Sequence, residues 1–123
     1  MGPTRLMVAL MAVACAACAT ERAYQGPALP RSERAIVRAD PVFSGNLPVQ
    51  LRLRKAGDHD VPLHASAVEL APGHQWLLVD CHMRESGVTR RFVVEADLEA
   101  GAEYRLVAQA TARNCDAVEL VRR

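Results

Sequence analysis

Val49-Gln50-Leu51-Arg52-Leu53-Arg54 is the stretch whose reading decides the fold class. Its aliphatic residues alternate strictly with polar ones. In an extended chain Val49, Leu51 and Leu53 therefore face one way, and Gln50, Arg52 and Arg54 the other. A strand with one buried and one wet face needs this pattern.

The same period of two recurs outward in both directions. Toward the N-terminus, Arg34-Ala35-Ile36-Val37-Arg38-Ala39 reads as a short strand stopped by Asp40-Pro41. Toward the C-terminus, residues 56–62 read as a polar loop and residues 65–70 as a strand with Ser66, Val68 and Leu70 on one face. Ala71-Pro72-Gly73-His74 is a turn, with proline presetting φ and glycine free to take a positive φ. In residues 75–83, Leu77, Val79, Cys81 and Met83 share one face, and Trp76, Leu78, Asp80 and His82 the other. Residues 90–97 turn Phe92, Val94 and Ala96 inward, and residues 103–110 do so with Tyr104, Leu106, Ala108 and Ala110. Glu85-Ser86-Gly87 and Glu99-Ala100-Gly101-Ala102 read as hairpin turns. Asn114-Cys115-Asp116 breaks the run before a last strand at residues 117–121. No segment carries a helical stripe. About seven short strands with regular turn signals predict an all-β fold, a small antiparallel β-sandwich of immunoglobulin-like type over residues 33–123.

The first 20 residues have a different grammar. A short start carrying Arg5 leads into the apolar run at residues 6–14, then Cys15-Ala16-Ala17-Cys18-Ala19-Thr20. A charged start, an apolar core and a small-residue exit make a secretory signal. The run is too short for a bilayer span, which takes about 20 apolar residues. Cys18 follows two alanines, and Cys18-Ala19-Thr20 resembles the cysteine-small-polar start of many Gram-negative lipoproteins. Residues 1–17 are accordingly expected to be a lipoprotein signal peptide and Cys18 the lipidated residue. Cys15 is the alternative, because it occupies the position three before Cys18 where such proteins usually carry an aliphatic residue. Cleavage after Ala19 would instead release a soluble periplasmic protein. With Ala19 after the lipidated cysteine, resemblance to Gram-negative lipoproteins implies an outer-membrane protein facing the periplasm. Residues 18–32, with Gly26, Pro27 and Pro30, read as an extended tether.

Removing residues 1–17 from the 123 leaves 106, enough for one domain with a modest core. Arg5 leaves with the leader, so 14 of the 15 basic residues remain against 14 acidic ones. That balance gives no net attraction to nucleic acid. Five aromatic residues (Tyr24, Phe43, Trp76, Phe92 and Tyr104) are too few for a base-stacking platform.

Two stretches carry a further resemblance. Val68-Glu69-Leu70-Ala71-Pro72-Gly73-His74 is followed by an apolar strand. Phe92-Val93-Val94-Glu95-Ala96 leads through Gly101 to Tyr104-Arg105-Leu106. Both resemble PEGA-like β-sandwiches. With Tyr24-Gln25-Gly26-Pro27-Ala28-Leu29-Pro30, the chain resembles small proteobacterial lipoproteins with a Tyr-x-Gly-Pro-x-Leu-Pro segment after the lipid cysteine and a PEGA-like sandwich behind it. The resemblance implies a fold and no catalytic residues.

Cys81 and Cys115 lie outside that pattern. In an oxidising periplasm they are expected to form a disulfide. It would close a loop of about 34 residues and contribute roughly 3–4 kcal/mol on the chain-entropy view. Two unpaired buried thiols are the alternative. The pair has no Cys-x-x-Cys spacing for redox work.

The residues that could carry other chemistry are scattered. Asp80 and His82 share a strand face, and Asp58-His59-Asp60 crowds a loop, yet a metal site needs three or four converging ligands. His74 reads as a turn-edge residue. Ser32, Ser44, Ser66 and Ser86 lack a Gly-x-Ser-x-Gly context. No carboxylate pair or phosphate loop is evident, so no enzyme, cofactor or metal is expected. Trp76, on the face opposite Leu77 and Val79, is the candidate contact surface. The expected function is that of a lipid-anchored cell-envelope accessory or interaction protein, with the membrane, through its lipid, and an envelope protein as the expected partners. The alternative is a small-ligand or metal-binding periplasmic sensor using Asp58-His59-Asp60 and His82.

Overall fold

The computed structural model describes residues 20–39, 42–44, 47–111 and 113–123, with the backbone alone for residues 42–44 and 47. Cys15, Cys18 and the leader lie outside the described residues, as do Asp40 and Pro41. Among the described residues ten strands follow one another, with a 3-10 turn at Arg31–Glu33: β1 (Thr20–Arg22), β2 (Ala35–Arg38), β3 (Val42–Ser44), β4 (Leu47–Ala56), β5 (His59–Asp60), β6 (Ala67–Leu70), β7 (Gly73–Met83), β8 (Thr89–Leu98), β9 (Glu103–Ala110) and β10 (Cys115–Arg122). Seven have four residues or more; β1, β3 and β5 have two or three.

The strands form two sheets packed face to face as a sandwich. The first runs β1-β6-β2-β9-β10, the second β3-β4-β7-β8 with β5 added to β4. The alternating residues named above make the core. Val49, Leu51 and Leu53 of β4 and Leu77, Val79, Cys81 and Met83 of β7 meet Val37, Val68, Leu70, Leu106 and Ala108 of the first sheet. Each fully buried Leu or Val contributes about 1.5–3 kcal/mol relative to exposure. Among the described residues no polar or charged residue is buried.

The sandwich is antiparallel-rich, with two parallel pairings. β2 lies beside β9 in parallel and β1 beside β6 in parallel. Parallel neighbours need a long return connection, and here the chain between β2 and β9 passes through the second sheet and through β6 of the first.

Several local expectations are corrected. The Glu99–Ala102 segment is no hairpin: β8 belongs to the second sheet and β9 to the first. It is a corner between sheets. Gly101 takes φ 78° there, and its N–H donates to the Arg34 carbonyl at 2.9 Å. The Tyr104 hydroxyl accepts the Glu99 N–H at 2.9 Å and ties the corner from inside. Tyrosine holds strand corners of immunoglobulin-type sandwiches in this way. The polar loop at residues 56–62 contains the β4–β5 hairpin and buries Val61. The last strand starts at Cys115, because a bulge between Cys115 and Ala117 leaves Asp116 unpaired while the ladder continues.

The extended tether is corrected most. Thr20, Glu21 and Arg22 pair with Ala67, Val68 and Glu69, and the Ala23 N–H donates to the Glu69 carbonyl at 2.9 Å. Leu29 N–H donates to the Tyr24 hydroxyl, and Arg34 donates to the Leu29 carbonyl while pairing with Glu69 at 3.5 Å. The segment is laid along the domain through its backbone, which no hydrophobic pattern announces.

Candidate functional site: the outer face of the second sheet

The residues of β4, β7 and β8 that point away from the core form cross-strand rows. Gln50, His82 and Thr89 make the first; Arg52, Asp80 and Arg91 the second; Lys55, Leu78 and Val93 the third; Trp76 and Glu95 the fourth. The bulge between Leu53 and Lys55 brings Arg54 to the same region.

Gln50, His82 and Thr89 of the first row, Arg52 and Asp80 of the second, and Arg54 line an open groove of about 270 Å³. Asp80 is its hub. Its carboxylate accepts Arg91 Nε at 2.8 Å and Nη2 at 3.4 Å, and Arg54 Nε lies 3.7 Å away. Arg52 stands opposite Asp80 in register. Two guanidinium groups, Arg54 and Arg91, thus pair with one carboxylate, and with Arg52 and Arg54 against Asp80 in its lining the groove carries excess positive charge. Hydrogen bonding and attraction to Asp80 hold the Arg91 pKa above its ordinary value. His82 Nδ1 lies 2.7 Å from the Thr89 hydroxyl at the end of the groove.

The third and fourth rows are apolar in the middle. Trp76 is 37% exposed and Val93 63%, with half-buried Leu78 beside them. Lys55 and Asp60 close one side as an ion pair at 3.5 Å. An indole and two aliphatic side chains beside a cationic groove suit a contact with a partner that is part apolar and part anionic.

The other candidate residues fall elsewhere. Cys81 and Cys115 are joined by a disulfide, both buried, with Cα atoms 6.4 Å apart. Asp58 and His59 line a second open cavity of about 530 Å³ with Tyr24 and Gln25, and His59 Nε2 lies 3.1 Å from Glu21. His82 pairs with Gln50 near the other end of β4 from Ala56, where β5 is attached. The Asp58-His59-Asp60 loop and His82 therefore do not share a site. His74 is in strand β7, 3.1 Å from Asp97. No group of three or more His, Cys, Asp or Glu among the described residues is arranged to hold a metal ion. No helix among the described residues is long and apolar enough to cross a membrane.

Sequence reasoning placed Trp76 and Asp80 on this face and missed the cluster around Asp80. Gln50, Arg52 and Arg54 alternate openly, but Arg91 reaches Asp80 only through the β7–β8 register. The fold and its inter-sheet bond define a small disulfide-linked β-sandwich. Compared with known proteins, the chain matches no family model, no curated protein and no solved structure.

Proposed function

We propose that this protein is a lipid-anchored accessory or interaction module of the cell envelope, without catalytic activity, held through Cys18 and facing the periplasm from the outer membrane. The observation that carries the reading is the Cys81–Cys115 disulfide behind a signal-like leader. Structural disulfides persist in oxidising compartments and are rare in the cytosol. The resemblance to small proteobacterial lipoproteins supports the same reading. The outer face around Trp76 would make contact with an envelope partner while the anchor keeps the domain at the membrane.

Intact mass of the full protein expressed in a Gram-negative host, beside Cys18→Ser, tests it. A chain starting at Cys18 and carrying acyl groups, with anchoring lost in the variant, is expected. A chain starting at Thr20 without lipid would make this a free periplasmic protein and remove the anchored mechanism. Acylation at Cys15 would move the anchor to the alternative residue.

One observation favours a second reading, small-ligand binding. The cavity beside Tyr24 and His59, about 530 Å³, lies in the range of ligand pockets, roughly 300–1,000 Å³. Calorimetry with zinc, copper and calcium, giving neither heat nor a melting shift, would remove its metal form.

A further inference from the structure

β8 ends the second sheet, and no strand among the described residues pairs with its outer edge. It differs from the other edges. β1, β3 and β5 are only two or three residues long, and β10 is bulged near its start. β8 runs ten residues, pairs with β7 without a register shift, and contains no lysine, proline or glycine. Short strands, bulges, prolines and charged side chains, lysine above all, are devices that protect edges from pairing. This edge is long, unbulged and free of proline and lysine; its charges at Arg91 and Glu95 are of opposite sign, and Val93 between them is 63% exposed.

The backbone direction follows from two hydrogen bonds. Gly57 N–H donates to the Trp76 carbonyl, so even-numbered β7 residues bond toward β4; Met83 N–H donates to the Val88 carbonyl, so odd-numbered ones bond toward β8. Antiparallel ladders alternate in this way. With Leu77 opposite Val94 and Val79 opposite Phe92, the even residues of β8 bond inward. Thr89, Arg91, Val93, Glu95 and Asp97 therefore present their N–H and C=O groups to the open edge.

We infer that this edge is a self-association site, where a second copy of the chain adds its own β8 antiparallel, centred on Val93. In that register Val93 meets Val93, and Arg91 meets Glu95 of the second copy twice over, once on each side of the two-fold axis. Thr89 meets Asp97 of the second copy. Apolar faces apolar and each charge faces its opposite, the arrangement that stabilises cross-strand pairs. Sliding by two residues one way puts Arg91 against Val93 of the second copy. Sliding the other way puts Val93 against Glu95. Arg91 spends Nε and Nη2 on Asp80, which leaves Nη1 for a second carboxylate. Both Arg91 and Glu95 are exposed enough to meet it, at 58% and 66% of their side-chain surface. A two-fold contact of this kind is self-complementary and closed, so it stops at two copies.

Sedimentation of the full protein in detergent tests the inference, with intact disulfide and unchanged far-UV circular dichroism required of each variant. The wild type is expected to dimerise. Val93→Lys and Glu95→Arg are each expected to weaken the dimer about tenfold or more. Adding Arg91→Glu to Glu95→Arg restores opposite charges in this register and is expected to recover wild-type affinity. A wild type that stays monomeric, or a dimer indifferent to Val93→Lys and Glu95→Arg, overturns the site. A double variant no better than Glu95→Arg overturns the register. None of these readouts depends on whether Cys18 carries lipid.

Discussion

Cys81, in the middle of the second sheet, is bonded to Cys115, at the start of the first sheet's edge strand, with 6.4 Å between their Cα atoms. The bond therefore ties the two stacked layers together covalently. Cys81→Ala with Cys115→Ala is expected to lower unfolding free energy by about 3–4 kcal/mol. Urea denaturation of wild type and double variant checks this. An unchanged midpoint would show that the sheets hold each other without the link.

Tyr104 reaches back five residues to accept the Glu99 N–H. Tyr104→Phe keeps the buried ring and strands that donor at the corner, at an expected cost of about 1–3 kcal/mol. Tyr24→Phe, which frees the Leu29 N–H in the N-terminal segment, is expected to speed hydrogen exchange at Leu29 with little effect on the global midpoint. Thermal melts and amide exchange separate the two.

Gly101 takes a positive φ, and a Cβ placed there would lie 3.3 Å from the Ser32 carbonyl oxygen. Gly101→Ala meets both obstacles and is expected to destabilise by about 1 kcal/mol or more. Gly87 also has a positive φ but open space around it. Gly87→Ala is expected to show the backbone cost alone, and the difference between the two denaturation midpoints measures the contact with Ser32.

Glu103 accepts a hydrogen bond from Arg38, which holds its carboxyl below the ordinary value of 4.5 against the opposing pull of desolvation. A lowered carboxyl pKa in the folded state means that the unfolded chain binds the proton first as pH falls. The pair's contribution is therefore full above about 4.5 and disappears as pH drops through the folded value. Glu103→Gln is expected to flatten the acid limb of the stability profile in that window and leave its slope above pH 6 unchanged. Denaturation midpoints across the acid range show whether it does.

The core was legible because burial writes itself into alternation. Val49, Leu51 and Leu53, or Leu77, Val79, Cys81 and Met83, can share a face only in a strand. The N-terminal strand was not legible. Thr20, Glu21 and Arg22 carry no apolar pattern, and their place beside β6 rests on backbone bonds that any side chains would permit. The Gly101 corner was misread for a related reason. A glycine turn looks the same in sequence whether the next strand returns to its own sheet or crosses to the other. What decides is distant, in the Gly101 bond to Arg34 and the pairing of β9 with β2. Asp116 disguised the start of β10, since a bulged residue drops out of the alternation. On the outer face, Arg52 and Arg54 were visible as a polar stripe, but the convergence of Arg54 and Arg91 on Asp80 needed the register of three strands.

β1 runs parallel to β6, with Thr20 beside Ala67 and Arg22 beside Glu69. That direction has a mechanical meaning. A pull on the chain ahead of Thr20, along the strand axis, slides β1 past β6 and loads their cross-links together rather than opening them in turn. Force arriving from the N-terminal side would meet the domain in shear, the geometry in which a three-residue strand resists most, and would spread into the first sheet before it reached the corner at Gly101.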